Sequence, residues 1–413
     1  MPTQRMPVLP IVSEPPAWPH RDLDVEALLA QGWQPIPIRD VVLKVHQRCN
    51  LACDYCYVYT MADQSWRDRP LVMERRTWRT AARRMAEHAA LHALPSMRLV
   101  LHGGEPLLPG VDRLAELVDD FRAAFSGGCR LDVVIQTNGV LLDERTLAVL
   151  LSRDVRVGVS LDGTPEANDR RRRRPDGRGS HAAVARALRL LTAPEHRNAF
   201  AGLLCTIDPG TDPIACYEAL LEYAPPTLDL LLPHANWATP PDRSTGPTPY
   251  ADWLIAVFER WYAAPRQETG VRLFEDIMTI LLGGASRSEQ VGLSPVAVLV
   301  VETDGAIEQV DSLKSSYPNA CATGRSVFTD PLDAALAHPG VVARQIGIAA
   351  LCETCLACPV HAVCGGGHYA HRYRPGTGFR NPSIYCADML RLIRHISGRM
   401  TADLHRLSAL QPS

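Results

Sequence analysis

Three cysteines, Cys49, Cys53 and Cys56, are spaced x3 then x2 directly behind the apolar run Val41 to Val45. Three thiolates can hold a four-iron cluster by three of its irons and leave the fourth open, so that a small molecule can bind there and receive an electron. The open iron would be a reaction centre. A structural zinc knot is the rival reading, but a closed zinc site usually wants four ligands in paired short spacings, and no fourth lies nearby. A second group stands towards the C-terminus: Cys352, Cys355, Cys358 and Cys364, then Gly365-Gly366-Gly367-His368, with Cys386 further on. Four thiolates suit zinc as well as a closed four-iron cluster.

These residues need a frame. From about residue 41, short β-branched runs alternate with segments of helical period, the signature of βα units around a parallel sheet. Six strands are expected: Val41 to Val45, Met97 to Leu101, Leu131 to Ile135, Val155 to Val159, Ala201 to Ile207 and Leu228 to Leu232. Between the second and third, Leu114, Leu117, Val118, Phe121 and Phe125 fall on one helical stripe. In such folds chemistry gathers where strands end, because side chains and free backbone donors converge there. Cys49 to Cys56 follows the first strand, His102-Gly103-Gly104-Glu105-Pro106 the second, Gln136-Thr137-Asn138-Gly139 the third and Ser160-Leu161-Asp162-Gly163 the fourth.

Beyond the sixth strand, the proline-rich stretch Pro233 to Pro249 reads as a loop or lid, followed by a helix over Tyr250 to Tyr262. Gly283-Gly284-Ala285-Ser286 signals a linker, and Val296 to Val301 and Ala306 to Val310 flank Asp304-Gly305 as a hairpin. The expected division is an N-terminal extension over 1–40, a barrel over 41–285, a cysteine-bearing domain over 286–395 and a helical tail over 396–413. Within the extension, Asp22 to Ala30 looks helical and would either brace the barrel or guide a leader.

A chain of 413 residues with 46% hydrophobic content can bury one large core and a satellite. Net charge is only -2, so nothing argues for nucleic acid or an anionic membrane. Met1 to Pro16 has Pro and Glu where a signal peptide would carry its apolar core, which makes the reducing cytoplasm the expected compartment for twelve cysteines. No apolar run approaches the roughly 18 residues of a membrane span.

Cys49, Cys53 and Cys56 with Tyr55, then Gly103-Gly104-Glu105-Pro106, resemble a radical S-adenosylmethionine (SAM) enzyme. The resemblance implies a partial (β/α)6 TIM-like barrel. SAM would chelate the open iron, to be split by one electron into methionine and a 5'-deoxyadenosyl radical. An external donor such as flavodoxin or ferredoxin would supply that electron. Tyr55 would lie by the adenine, Gly103, Gly104 and Glu105 by the ammonium group, and Asn138, Ser160 and Asp162 by the ribose or methionine. Each has a plainer rival: a tight turn at the glycines, an N-cap at Ser160 or Asp162.

The C-terminal cysteines resemble the SPASM domain, an accessory iron-sulfur module. Cys355, Cys358, Cys364 and Cys386 match the ligands of its distal auxiliary 4Fe-4S cluster. Val310 and His368 stand where the pattern has cysteines of the other cluster, for which Cys321 and Cys352, with His368, remain as ligands. The stretches Cys364 to Tyr373, Gly378 to Ser383, Glu302 to Gly305 and Gln309 to Lys314 resemble the FxsB family, radical SAM/SPASM maturases that form cyclophanes in ribosomally made (RiPP) precursor peptides.

That resemblance implies hydrogen abstraction from a side chain and a carbon-carbon bond between an aromatic ring and a β-carbon. The auxiliary cluster would accept the electron that rearomatisation releases, and Asp311, His368 and His371 are candidate proton acceptors. Two alternatives stay open: formylglycine or thioether formation of the anaerobic sulfatase-maturase type, and a non-catalytic metal-binding peptide adaptor. Cys129, Cys205 and Cys216 read as packing residues. Arg170 to Arg174 is a solvated loop or an anion binder, and His46 and His102 are framework histidines beside the expected cavity.

Overall fold

A computed structural model describes residues 15–410 of the chain. Residues 1–14, which hold most of the stretch read against a signal peptide, and residues 411–413 of the tail lie outside the described residues.

The six expected strands form where the sequence places them: β1 (Asp40–His46), β2 (Ser96–Gly103), β3 (Arg130–Thr137), β4 (Val155–Ser160), β5 (Phe200–Thr206) and β6 (Thr227–Leu231). Four more join them: β7 (Gly270–Val271), β8 (Val298–Val301), β9 (Ala306–Glu308) and β10 (Ala322–Ser326). The sheet runs β10-β9-β8-β1-β2-β3-β4-β5-β6-β7 and does not close. Its strands are parallel from β8 through β7, and β8, β9 and β10 pair antiparallel. This is an α/β fold with a mostly parallel sheet.

Period-two alternation decides what each strand shows to either side. On β1, Val41, Leu43 and Val45 are buried in the main core, and on β2 Met97, Leu99 and Leu101 do the same. The alternate residues Val42, Val100 and His102 line a cavity inside the sheet. Between Lys44 and His46 the β1–β2 register slips, so His46 faces Gly103 and the chain is re-aimed just before the cysteines. The helix Val111–Ala124 buries Leu114, Leu117, Val118 and Phe121, the stripe read from the sequence.

The hairpin expected around Asp304-Gly305 is β8–β9, and it extends the barrel's sheet by pairing β8 with β1. A satellite core, Trp18 with Leu313, Tyr369, Tyr373 and Phe379, sits among the C-terminal segments. Trp18 bridges to Gly378, and Arg380 stacks on its indole at 4.8 Å. The segment before β1 thus packs on the C-terminal region. The helix Cys386–Leu410 is joined to the helix Pro249–Tyr262 by Asp388, whose Oδ1 accepts the Tyr250 and Ala251 N–H groups at 3.1 Å. Arg243, from the proline-rich loop, donates to Asp388 Oδ2 at 2.8 Å.

Lys44 is 1% exposed and pairs with Asp311 at 2.5 Å. Behind it, Lys314 bonds Glu302 at 3.0 Å and Glu308 at 3.3 Å, and Arg69 also pairs with both carboxylates. Burial alone would raise the Asp311 carboxyl, but Lys44 and then Lys314 outweigh it and hold it down to about 2. An uncompensated buried charge is far costlier than the pair. Lys44→Ala is expected to destabilise the protein by about 3–5 kcal/mol in urea unfolding, and Lys44→Met combined with Asp311→Leu to recover most of it. Because the folded value lies below the unfolded value of about 3.9, the carboxylate's contribution should be complete above about pH 4 and be lost as pH falls towards 2. The stability difference between wild type and the double variant, measured against pH, checks this.

Candidate active site

The loop after β1 brings Cys49, Cys53 and Cys56 to the wall of one cavity of about 210 Å³. Its backbone is held from two sides. Gly104 N–H donates to the His46 carbonyl and Glu105 N–H to the Arg48 carbonyl, both at 2.9 Å, while Ala52 N–H donates to Arg173 O at 2.7 Å. The glycines are needed because the two loops touch. A Cβ on Gly104 would lie 2.3 Å from the Arg48 carbonyl oxygen, and one on Gly103 2.4 Å from that of His46.

Donors are aimed at the sulfurs. Cys49 Sγ accepts from the Leu51 N–H at 3.4 Å and from Asn138 Nδ2 at 3.6 Å, contacts of the kind that tune an iron-sulfur ligand. Asn138 is fixed by a second bond from Nδ2 to Asn50 Oδ1 at 2.7 Å. Burial pushes the Cys49 thiol up to about 12 and the Cys53 thiol up to about 11. Among the described residues no three cysteine sulfurs lie mutually within 4.8 Å.

Of the other residues expected around SAM, Tyr55, Gly103, Gly104, Asn138 and Ser160 line the cavity and Glu105 and Asp162 do not. Glu105 is fully buried and ties strand ends together: its carboxylate accepts from Thr137 Oγ1 at 2.6 Å, Asn138 N at 2.8 Å and Leu107 N at 3.0 Å. Asp162 sits behind Tyr55, accepting its hydroxyl at 2.5 Å and the Thr206 N–H at 3.0 Å. Burial raises both carboxyls, opposed at Glu105 by these hydrogen bonds and at Asp162 first by Arg172.

Arg172 stands apart from its run. Arg170 and Arg171 pair with Asp208, and Arg171 also with Asp54. Arg172 is 7% exposed, lines the cysteine cavity and donates to the Tyr55 hydroxyl at 2.8 Å, while its Nε has no partner. It occupies the end of the helix Pro165–Arg171, and nothing in a run of five like residues distinguishes the one that turns inward. His234 was also missed. It follows β6, the same strand-end position that marks the other motifs, so that signal was available.

A larger cavity, about 540 Å³, shares Tyr57, His102, Leu231, Leu232 and His234 with the first. Asp311, His368 and His371 line this larger space. Asp311 is committed to Lys44 there. Burial and then the Lys44 charge lower His102 to about 4.

In the C-terminal region Cys355 lies on the short helix Glu353–Leu356, Cys364 ends His361–Cys364, and Cys386 opens the long helix. Cys355 lies within electrostatic reach of Cys352 and Cys364, and Cys364 within that of Cys386 and Cys358, so the five share one neighbourhood. Arg372, unnoticed in the sequence, clasps the glycine turn through Gly365 O and Gly367 O at 2.6 Å and lowers the raised Cys355 and Cys364 thiols. Cys321 stands elsewhere, its thiol on the Val310 carbonyl at 3.3 Å beside Lys314.

A mostly parallel α/β sheet with three thiols on the wall of one cavity is an arrangement that suits a cluster-binding enzyme. Residues 43–196 match the family model of the Radical SAM superfamily. The chain is 24% identical over 284 residues to the cysteine-type anaerobic sulfatase-maturating enzyme of Clostridium perfringens (strain 13 / Type A), covering 67% of this chain and 74% of that one. Its fold matches a solved structure described as native anSMEcpe with bound AdoMet, with a TM-score of 0.77 at 20% identity over 88% of this chain and 98% of that one. It also matches Streptococcus suis SuiB bound to precursor peptide SuiA, with a TM-score of 0.56 at 14% identity over 87% and 78%. Residues 43–196 are thus a radical SAM segment, and the protein is an enzyme that uses a 4Fe-4S cluster and SAM.

Gly104→Ala is expected to force the cysteine loop away from Arg48 and lower the iron bound at the N-terminal site by half or more. Iron content beside circular dichroism reads this, with the α/β signature retained.

Proposed function

We propose that the chain is a maturase of a ribosomally synthesised precursor peptide. The observation that carries this reading is the larger cavity that shares Tyr57, His102, Leu231, Leu232 and His234 with the cysteine cavity, space beside SAM for a side chain and for the segment that bears it. The precursor peptide SuiA, bound in the neighbouring structure of Streptococcus suis SuiB, supports the same substrate class. Cys49, Cys53 and Cys56 would hold the cluster, and Tyr55, Gly103, Gly104, Asn138, Ser160 and Arg172 would surround SAM. When bound, that pair supplies reductive cleavage of SAM and, through it, hydrogen abstraction from an unactivated carbon. Cys355, Cys358, Cys364 and Cys386 would hold an auxiliary cluster able to accept an electron.

The chain's own groups do the positioning. Tyr55 is fixed between Asp162 and Arg172, so its ring cannot swing from the cavity. Arg172 lines the cysteine cavity with its Nε buried and unpartnered, a cationic donor that would suit the carboxylate of SAM. Apolar Leu231 and Leu232 on the shared wall exclude water from a reactive carbon.

The finer outcome we favour is a crosslink between an aromatic ring and a β-carbon, on the C-terminal motifs. The sulfatase-maturase similarity favours a second reading, oxidation of Cys or Ser to formylglycine. Mass spectrometry of the peptide encoded beside this gene separates them. A crosslink survives fragmentation as a ring spanning several residues, whereas formylglycine changes a single residue. Cys53→Ala is expected to abolish 5'-deoxyadenosine formation with reductant, and Cys355→Ala to abolish modified peptide while peptide binding persists. Unchanged product from Cys53→Ala would reject the proposal. Arg172→Gln should weaken SAM binding by about ten-fold or more, the loss of a charge-assisted contact, with the iron content kept.

A further inference from the structure

Outside the cysteine groups, three clusters among the described residues bring metal-capable atoms within 4.8 Å of one another: Glu302 with Glu308 and Asp311, His88 with His92 and Asp333, and His234 with His368 and His371. The carboxylate trio is already compensated by Lys44, Lys314 and Arg69. In the second, Asp333 takes His88 and His92 on separate oxygens at 2.8 and 2.5 Å, and His88 places its other nitrogen on the Ile38 carbonyl at 3.1 Å. Both are closed. The histidine trio is open: His234 Nδ1 and His371 Nε2 are buried with no hydrogen-bond partner, and His371 is 4% exposed. Orphaned buried polar atoms are rare enough to ask for an occupant.

We propose that His234, His368 and His371 form a mononuclear site for a divalent transition-metal ion, of the zinc or ferrous class, at the wall between the two cavities. The three ring centroids lie 5.2, 5.6 and 4.9 Å apart. Imidazole nitrogens bound at about 2.0–2.1 Å to one ion stand about 3.3 Å from each other, so the rings need close by no more than about 1.5 Å. His368 holds a long bond at Nδ1 from the Ala370 N–H, 3.3 Å, and its Nε2 lies 3.9 Å from Glu289. Ligation at either atom exchanges a weak contact for a metal bond. Burial lowers all three imidazoles, His234 to about 4, so each is neutral at physiological pH and offers a lone pair. Glu289, gripped by Arg344 at 2.7 and 2.6 Å, and Asp311 both face His234.

Its donors are all imidazole nitrogens, which separates this site from the thiolates of both cysteine groups. His234 lines both cavities, and His368 and His371 line the larger. The ion's remaining coordination positions therefore face the larger cavity, where a carbonyl or carboxylate of a ligand can complete them. The proposal stands whether the bound peptide is crosslinked or oxidised.

The test is titration of Co2+ into the iron-sulfur-loaded enzyme under anaerobic conditions, followed by visible absorption. One equivalent should bind with a d–d spectrum and no thiolate charge-transfer band. His234→Gln and His371→Ala should each weaken binding more than about ten-fold, since even outer-sphere partners of a metal ligand are worth that much. His88→Gln should leave it unchanged, and iron content with circular dichroism shows that each variant is folded. Absence of binding, a thiolate band, or undiminished affinity in both His234→Gln and His371→Ala overturns the site.

Discussion

A lysine ammonium buried at the end of the strand that leads to the cysteines is the constraint on which the rest turns. Lys44 cannot sit at 1% exposure without its anion, and that anion, Asp311, comes from beyond β9. The cysteine loop is therefore correctly placed only when the C-terminal third is docked. Gln47, the next inward polar group, makes the same demand by bonding Glu302 and Thr303. The β8–β1 pairing adds backbone hydrogen bonds to this charge-driven union. The reaction centre and the region that carries the second cysteine group form one cooperative assembly.

Much of this was legible. Strands with strong apolar alternation, such as Met97 to Leu101, announced themselves locally, and motifs placed at strand ends did gather on one cavity. The Val111–Ala124 helix followed its stripe because a sheet needs only one apolar face against it. What escaped depends on contacts distant in sequence or on rotation about a single bond. The expected boundary near residue 285 could not reveal that β8 joins β1, because parallel pairing leaves no local signature. Glu105 carries the residue type of a ligand contact, yet its neighbours Thr137 and Asn138 claim both oxygens. Arg172 differs from Arg171 by one step past a helix end, and that step carries it from an exposed ion pair into the interior.

Solved structures share this fold at TM-scores of 0.77 and 0.56, and the C-terminal region here has its own arrangement of donors. Val310 gives its carbonyl to the buried Cys321 thiol, so neither residue offers an outward ligand. Nearby, His368 joins two further imidazoles on the cavity wall. Nitrogen donors thus collect where sulfur was expected. The electrostatics of the larger cavity follow from neutral rings flanked by Glu289 and Asp311 rather than from thiolates.

Asp388 has a consequence for how a long ligand gains access. One carboxylate starts the helix Pro249–Tyr262 from within the first turn of the helix that begins at Cys386, and it also tethers the proline-rich loop through Arg243. Sliding these helices apart would strand two main-chain donors in a dry interior, so no hinge is available along this seam. For a long guest this seam would be a fixed wall and not a door.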